Sequence, residues 1–166
     1  MHRVPLLKNS LLILLVLLVS CGFHLRGQVT IPENLKQLRL ISQISDPIVQ
    51  QLKITLQKYG IIVVNAGQKA PSQLTIESLD HNTAFATTSA NTNTKQYNIT
   101  YNLTFSLLSE EKPILSHAVV SSSRTLTVNA NRILGSDDEE ITLKQEMQQE
   151  LVQKLLTRVT ATLKHT

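Results

Sequence analysis

The chain of 166 residues has one cysteine, no tryptophan, three phenylalanines and three tyrosines. A single cysteine excludes an intrachain disulfide and a multi-cysteine metal cluster. The shortage of aromatic side chains predicts a core of leucine, isoleucine and valine. After residue 20, no apolar run approaches the roughly 20 residues that a membrane-spanning helix needs. We therefore expect a domain in water that is stabilised by aliphatic packing.

A large excess of either charge is also missing. The chain has 16 lysines and arginines against 12 acidic residues. Arg3 and Lys8 belong to the N-terminal segment, so residues 21–166 carry 14 basic against 12 acidic residues. Nucleic-acid binding depends on many phosphate contacts from clustered Lys and Arg. This near balance predicts no nucleic-acid partner.

The N-terminal residues have the pattern of a bacterial lipoprotein signal. Arg3 and Lys8 form a short basic region, and residues 11–19 are nine uninterrupted aliphatic residues. Leu18-Val19-Ser20-Cys21 then places the cysteine directly after a small residue. An ordinary secretory signal that is cut near Ser20 is the alternative, but it leaves the position of the cysteine unexplained.

The lipoprotein signal predicts how the chain is anchored. We expect residues 1–20 to be removed and Cys21 to carry N-acyl and S-diacylglycerol groups, since two or more acyl chains give a durable anchor. Residues 21–166 then form one periplasmic α+β domain. Gly22 stands where an aspartate would signal inner-membrane retention, so we predict sorting to the outer membrane.

The first part of the domain predicts a strand followed by a helix. Residues 35–41 are short and apolar enough for a strand. Ser45 and Asp46 are capping residues, and the segment Pro47–Tyr59 has apolar side chains at helical spacing. Gly60 is typical of the end of a helix.

Three segments of less regular pattern come next. Residues 61–64 are a β-branched run that predicts a short segment in or beside a sheet, and residues 74–79 predict another strand. Residues 83–94 are mostly Thr, Ala, Asn and Ser. They predict either a polar loop or a weakly specified continuation of the strand and a turn.

Residues 97–107 alternate between apolar and polar side chains more regularly than any other segment. This pattern predicts an antiparallel strand with one buried and one wet face. The polar turn at residues 110–113 and the Ser-, Thr- and Val-rich segment 114–128 predict a returning strand, and thus a hairpin.

The C-terminal segment predicts a long helix. Residues 129–135 are interpreted as a loop, and Ser136 with Glu139 has the spacing of a capping box. Apolar residues recur at helical spacing over residues 141–163. Together these elements predict an α+β two-layer sandwich, with two helices on one face of a mainly antiparallel sheet of about four strands.

Catalytic and metal-binding patterns are absent from the sequence. The acidic run 137–140 is explained by the helix start, because consecutive side chains of a helix point in different directions. The histidines have no metal-ligand spacing, and there is no phosphate-binding glycine loop or nucleophile elbow. We predict no enzyme activity, no cofactor and no metal.

Three cations are candidates for binding an anionic group. Lys95, Arg124 and Arg132 come toward one end of the sheet if the hairpin closes as predicted, and such side chains suit phosphates. Ordinary solvated surface charges are the alternative interpretation.

The heptapeptide Cys21-Gly22-Phe23-His24-Leu25-Arg26-Gly27 resembles the start of the mature lipoproteins of the LptE family. The resemblance continues through the order of elements over nearly the whole domain. It implies a two-layer fold, a location on the periplasmic side of the outer membrane, and a role as plug and partner of the LptD β-barrel in lipopolysaccharide assembly.

The resemblance also implies candidate contact residues. Family members are thought to bind lipopolysaccharide through basic residues at loops near the hairpins, but the corresponding loop 87–94 has no Arg or Lys and Ser136 stands where a relative carries lysine. Lys95, Arg124 and Arg132 are therefore the substitutes, and Thr92, Asn98 and Thr100 are the candidate barrel contacts.

Two other functions fit an anchored, exported domain. One is a different envelope adaptor, such as an auxiliary subunit of a lipid transporter, which would copurify with an inner-membrane complex. The other is a periplasmic enzyme, which requires a cleft with converging titratable groups.

Overall fold

The computed structural model describes residues 31–65, 67–89, 94–129 and 133–164. It contains the strands β1 (Gln37–Ser42), β2 (Ile62–Val64), β3 (Ser72–Ser89), β4 (Thr94–Ser109) and β5 (Lys112–Asn129). They form one sheet in the order β2-β1-β3-β4-β5. β1 is parallel to both of its neighbours, whereas β3, β4 and β5 form an antiparallel meander.

The sheet corrects the predicted strand count and pairing. It has five strands where about four were predicted, and it is mixed where a mainly antiparallel sheet was predicted. The short run 61–64 supplies the fifth strand, β2. A helix separates β1 from β2 in the chain, and such a crossover brings consecutive strands together in parallel.

Two helices, α1 (Pro47–Lys58) and α2 (Ile133–Lys164), complete the α+β fold in the described residues. Oδ1 of Asp46 accepts a hydrogen bond of 2.9 Å from the backbone N–H of Ile48, so the predicted cap of α1 is confirmed. Gly60 has a φ of +77°, a conformation that a side chain would strain, and the chain turns there toward β2.

The core lies between the two helices and one face of the sheet. Alternate residues of β4 from Ile99 to Leu107 are buried, which confirms the predicted alternation. The helices contribute buried aliphatic side chains to the same cluster: Ile48, Leu52 and Leu56 from α1, and Met147, Leu151, Leu155 and Val159 from α2. We call the helix-covered side the inner face and the opposite side the open face.

Among the described residues, the structure does not have the loop at residues 83–94 that was one of the two predicted alternatives. β3 continues to Ser89 and β4 begins at Thr94, so strand continuation is the correct alternative up to residue 89. Thr83 pairs with Ile99 and Phe85 with Tyr97, and these ladder bonds hold a segment whose own pattern is weak. Residues 90–93 lie outside the described part.

Two other predicted boundaries are wrong. β1 begins at residue 37 and not at 35, because Glu33–Leu35 form a 3₁₀ turn. β5 extends to Asn129 and α2 already begins at Ile133, so Ser136 lies inside the helix and is not its cap. Gly135 does not stop the helix, since one glycine costs only about 1 kcal/mol relative to alanine.

Candidate binding surface of the sheet

The open face of β4 and β5 is a polar surface without charged side chains along three consecutive pairs. Asn98, Thr100 and Asn102 alternate with the buried residues of β4, so they point away from the helices. Their partners in β5 are Thr125, Ser123 and Ser121. The predicted wet face of this strand is therefore present.

Side-chain hydrogen bonds connect each of these pairs across the two strands. The Thr125 hydroxyl donates to Oδ1 of Asn98 at 3.0 Å, and the Ser121 hydroxyl donates to Oδ1 of Asn102 at 2.6 Å. The hydroxyls of Thr100 and Ser123 are 2.9 Å apart. We call these six residues the polar ladder. Because hydroxyl and amide groups have further donor and acceptor capacity, the ladder can also bind an external polar surface.

At one end of the ladder, a carboxylate joins three strands. Glu77 lies at a β-bulge of β3, and its Oε2 is 2.7 Å from Nδ1 of His117 in β5. The Ser106 hydroxyl of β4 donates to Glu77 Oε1, and it accepts a bond of 3.0 Å from the backbone N–H of His117. The Ser106 bond and, to a smaller extent, His117 hold the pKa of Glu77 below its usual value, against the effect of desolvation.

These three residue types also occur in serine hydrolases, but the geometry here is different. In a catalytic triad the histidine contacts the nucleophilic hydroxyl and the carboxylate orients the histidine. Here the Ser106 hydroxyl donates directly to Glu77, and the His117 ring contacts the same carboxylate. The Ser106 hydroxyl therefore contacts the carboxylate and not the histidine ring, which is not the order of a catalytic triad.

The structure places two of the three predicted cations, and both are on the inner face. Lys95 is exposed and pairs with Val128, whereas Arg124 pairs with Ile99. Lys95 and Ile99, the residue opposite Arg124, are four residues apart in β4, which corresponds to about 13 Å along the strand. Arg132, like Thr92 and Cys21, lies outside the described residues.

Arg124 has an acidic partner that the sequence did not indicate. Its Nη2 lies 2.6 Å from Oε2 of Glu150 in α2, while Lys154 Nζ lies 2.7 Å from Oε1 of the same carboxylate. The Ser122 hydroxyl donates to Glu150 Oε2 at 2.8 Å. The bonds from Lys154 and Ser122, together with the attraction of Lys154 and Arg124, lower the pKa of Glu150 to about 2 despite partial burial.

Two cations of α2 bind the backbone of the edge strand β5. Lys154 donates to the carbonyl of Ser121 at 2.7 Å, and Arg158 donates to that of Val119 at 2.9 Å. Both carbonyls point outward from the sheet, where another strand would pair. The helix therefore blocks this part of the edge, and no local sequence pattern indicates the contact.

The described residues contain no helix that is long and apolar enough to cross a membrane. Among the same residues, no group of three or more His, Cys, Asp or Glu side chains is arranged to hold a metal ion.

Comparison with protein families decides what kind of protein carries this surface. Residues 28–159 match the family LptE, which is described as lipopolysaccharide-assembly. The chain belongs to the LptE family. The predicted family is thus confirmed by a match that covers most of the domain and begins directly after the heptapeptide.

Solved structures of three lipoproteins share the fold of this chain. Lipoprotein B from Nitrosomonas europaea has a TM-score of 0.70 at 23% identity, covering 84% of this chain and 91% of that one. Rare lipoprotein B from Shewanella oneidensis has a TM-score of 0.67 at 16% identity, with coverages of 78% and 97%. A minor lipoprotein from Acinetobacter baumannii has a TM-score of 0.59 at 16% identity, with coverages of 76% and 94%. No curated protein sequence matches the chain.

Proposed function

We propose that this LptE-family protein is a lipid-anchored outer-membrane lipoprotein that assists the assembly of lipopolysaccharide in the outer leaflet. It acts on the periplasmic side as a plug and partner of the LptD β-barrel, and it binds lipopolysaccharide without catalysing a reaction. Cys21 is the anchor, and Gly22 directs the protein away from the inner membrane. The family match supports the assembly role, and the lipoprotein neighbours support an envelope location.

The polar ladder is the main structural support for the proposed contact with the barrel. The interior of a large membrane β-barrel is polar, so a plug needs a surface that forms hydrogen bonds to it. Asn98 and Thr100 provide such groups without a net charge, and burying an unpaired charge would be costly. Because cross-strand bonds already order these side chains, binding loses little side-chain entropy.

Photocrosslinking in cells tests this contact directly. A photoreactive amino acid at Thr100 on the open face is expected to capture the barrel, and one at Thr92, another barrel contact predicted from the sequence, is a second position. The matched control is Gln57, an exposed residue of α1 on the opposite side of the molecule. Capture of the barrel from Gln57 but not from Thr100 would contradict the assignment of the open face.

The same experiment separates the proposal from its alternative. An envelope adaptor of a lipid transporter would be crosslinked to an inner-membrane complex. Recovery of such a complex from Thr100, in place of an outer-membrane barrel, would favour that function.

A further inference from the structure

A cleft of about 330 Å³ lies on the inner face beyond the start of α1. β1 pairs with β3 only as far as Ile76, and Asp46, the cap of α1, already lines the cleft. The remaining walls come from β3, β4 and α2. This volume lies in the range of about 300–1,000 Å³ that is usual for small-molecule sites.

Two aromatic rings form one side of the cleft. His81 of β3 and Tyr101 of β4 are opposite each other in the ladder, and their rings stack with centroids 5.6 Å apart and an angle of 25° between their planes. Tyr101 is buried and His81 is exposed. Both residues line the cleft, and the His81 ring is the more accessible aromatic surface.

Polar groups from three different elements surround these rings. Asp46 and Glu140 provide carboxylate acceptors, Lys144 provides three N–H donors, and Thr83 provides a hydroxyl that both donates and accepts. One oxygen of Asp46 is already bonded to the backbone N–H of Ile48. The second oxygen leaves acceptor capacity on the same carboxylate.

The mixture of donors and acceptors narrows the class of ligand. A phosphate requires donors alone, and here two carboxylates face one ammonium group. A guanidinium or ammonium group requires acceptors alone, and Lys144 would repel it. Hydroxyl groups donate and accept at once, and the C–H face of a sugar ring packs on a flat aromatic surface. A neutral sugar satisfies both conditions.

We propose that this cleft is a saccharide-binding site. The identity of the sugar rests on the proposed function. The sugar belongs to the saccharide portion of lipopolysaccharide and not to its acylated, phosphate-bearing end. The site is distinct from Lys95, whose single charge suits an anionic group.

Calorimetric titration of the full-length acylated protein in detergent micelles tests the site. The probe is the core oligosaccharide released from lipopolysaccharide by mild acid. His81→Ala removes the exposed ring and Thr83→Val removes one hydroxyl, and we expect His81→Ala to raise the Kd about tenfold. Asn82→Ala is the control, because Asn82 is exposed on the same strand and pairs with Thr100 of the open face.

The results separate this site from the proposed function. Equal Kd values for His81→Ala and Asn82→Ala, or no oligosaccharide binding by the wild type, would overturn the site even if intact lipopolysaccharide binds. Binding of N-acetyl-argininamide in place of the oligosaccharide would also overturn it. Oligosaccharide binding that is lost in His81→Ala, together with failure to capture a barrel, would support the site and reject the proposed function.

Discussion

Glu150 connects α2 to β5 by accepting from one lysine, one arginine and one serine. Its pKa of about 2 in the folded protein lies below the value of 4.5 expected for the unfolded chain. A lowered folded-state pKa means that the carboxylate stabilises the fold fully above about pH 4.5. This contribution is lost as the pH falls toward 2.

We predict that Glu150→Gln lowers the free energy of unfolding at pH 7 by about 1–2 kcal/mol, a range reduced for the partial exposure of the side chain. Urea unfolding at pH 7 and pH 3 measures the effect, and the difference from wild type should shrink at pH 3. Glu146→Gln, one turn earlier on the exposed surface of α2, is the control and should change little. If the variant and the wild type differ in free energy of unfolding by the same amount at both pH values, ionisation of Glu150 does not contribute to stability.

A second prediction for single residues concerns the candidate cations and the binding of lipopolysaccharide. Lys95→Gln with Arg132→Gln should weaken binding of intact lipopolysaccharide about three- to tenfold and reduce its dependence on salt, because each exposed ion pair contributes about 0.2–1 kcal/mol. Arg124 is left unchanged, since it already pairs with Glu150.

The matched control removes the same charge elsewhere. Lys69 and Lys112 are exposed at the other end of the long hairpins, and their double replacement by glutamine should leave affinity and salt dependence unchanged. Equal weakening by both double variants would assign Lys95 and Arg132 to the general surface charge.

At the scale of elements, the contact of α2 with β5 protects an edge of the sheet. We predict that Lys154→Ala with Arg158→Ala exposes the outward carbonyls of Ser121 and Val119 and promotes association between strands. Sedimentation velocity should show concentration-dependent oligomers for this double variant. Lys164→Ala, at the end of the same helix, should remain like wild type, and a monomeric double variant would argue against edge protection.

Local signals were sufficient for several elements. Asp46 and Pro47 mark the start of α1, and the alternation of residues 97–107 marks β4 and its buried face. The capping box at Ser136 failed because the same local pattern is tolerated inside a helix that begins at Ile133.

Contacts between distant residues were not predictable in the same way. The bulge that places Glu77 beside His117, and the position of α2 that brings Glu150 to Arg124, depend on register between separate elements. The sequence therefore indicated a polar open face and a group of cations. It did not indicate which of these cations is already paired.

At the scale of the whole molecule, the two faces of the sheet have separate roles. The inner face holds the aliphatic core, and the open face carries the polar ladder. The match to a lipopolysaccharide-assembly family supports the proposal that the extended polar surface binds a partner. We propose that this ladder contacts the barrel.

Copurification of the full-length acylated protein from native membranes tests that claim most directly. Thr100→Arg places a cation in the ladder and removes the bond to Ser123, whereas Gln57→Arg adds the same charge on α1. We predict that the wild type and Gln57→Arg recover the outer-membrane barrel, and that Thr100→Arg loses most of it while keeping the Tm of the domain. Equal recovery of the barrel by all three proteins would contradict the claim.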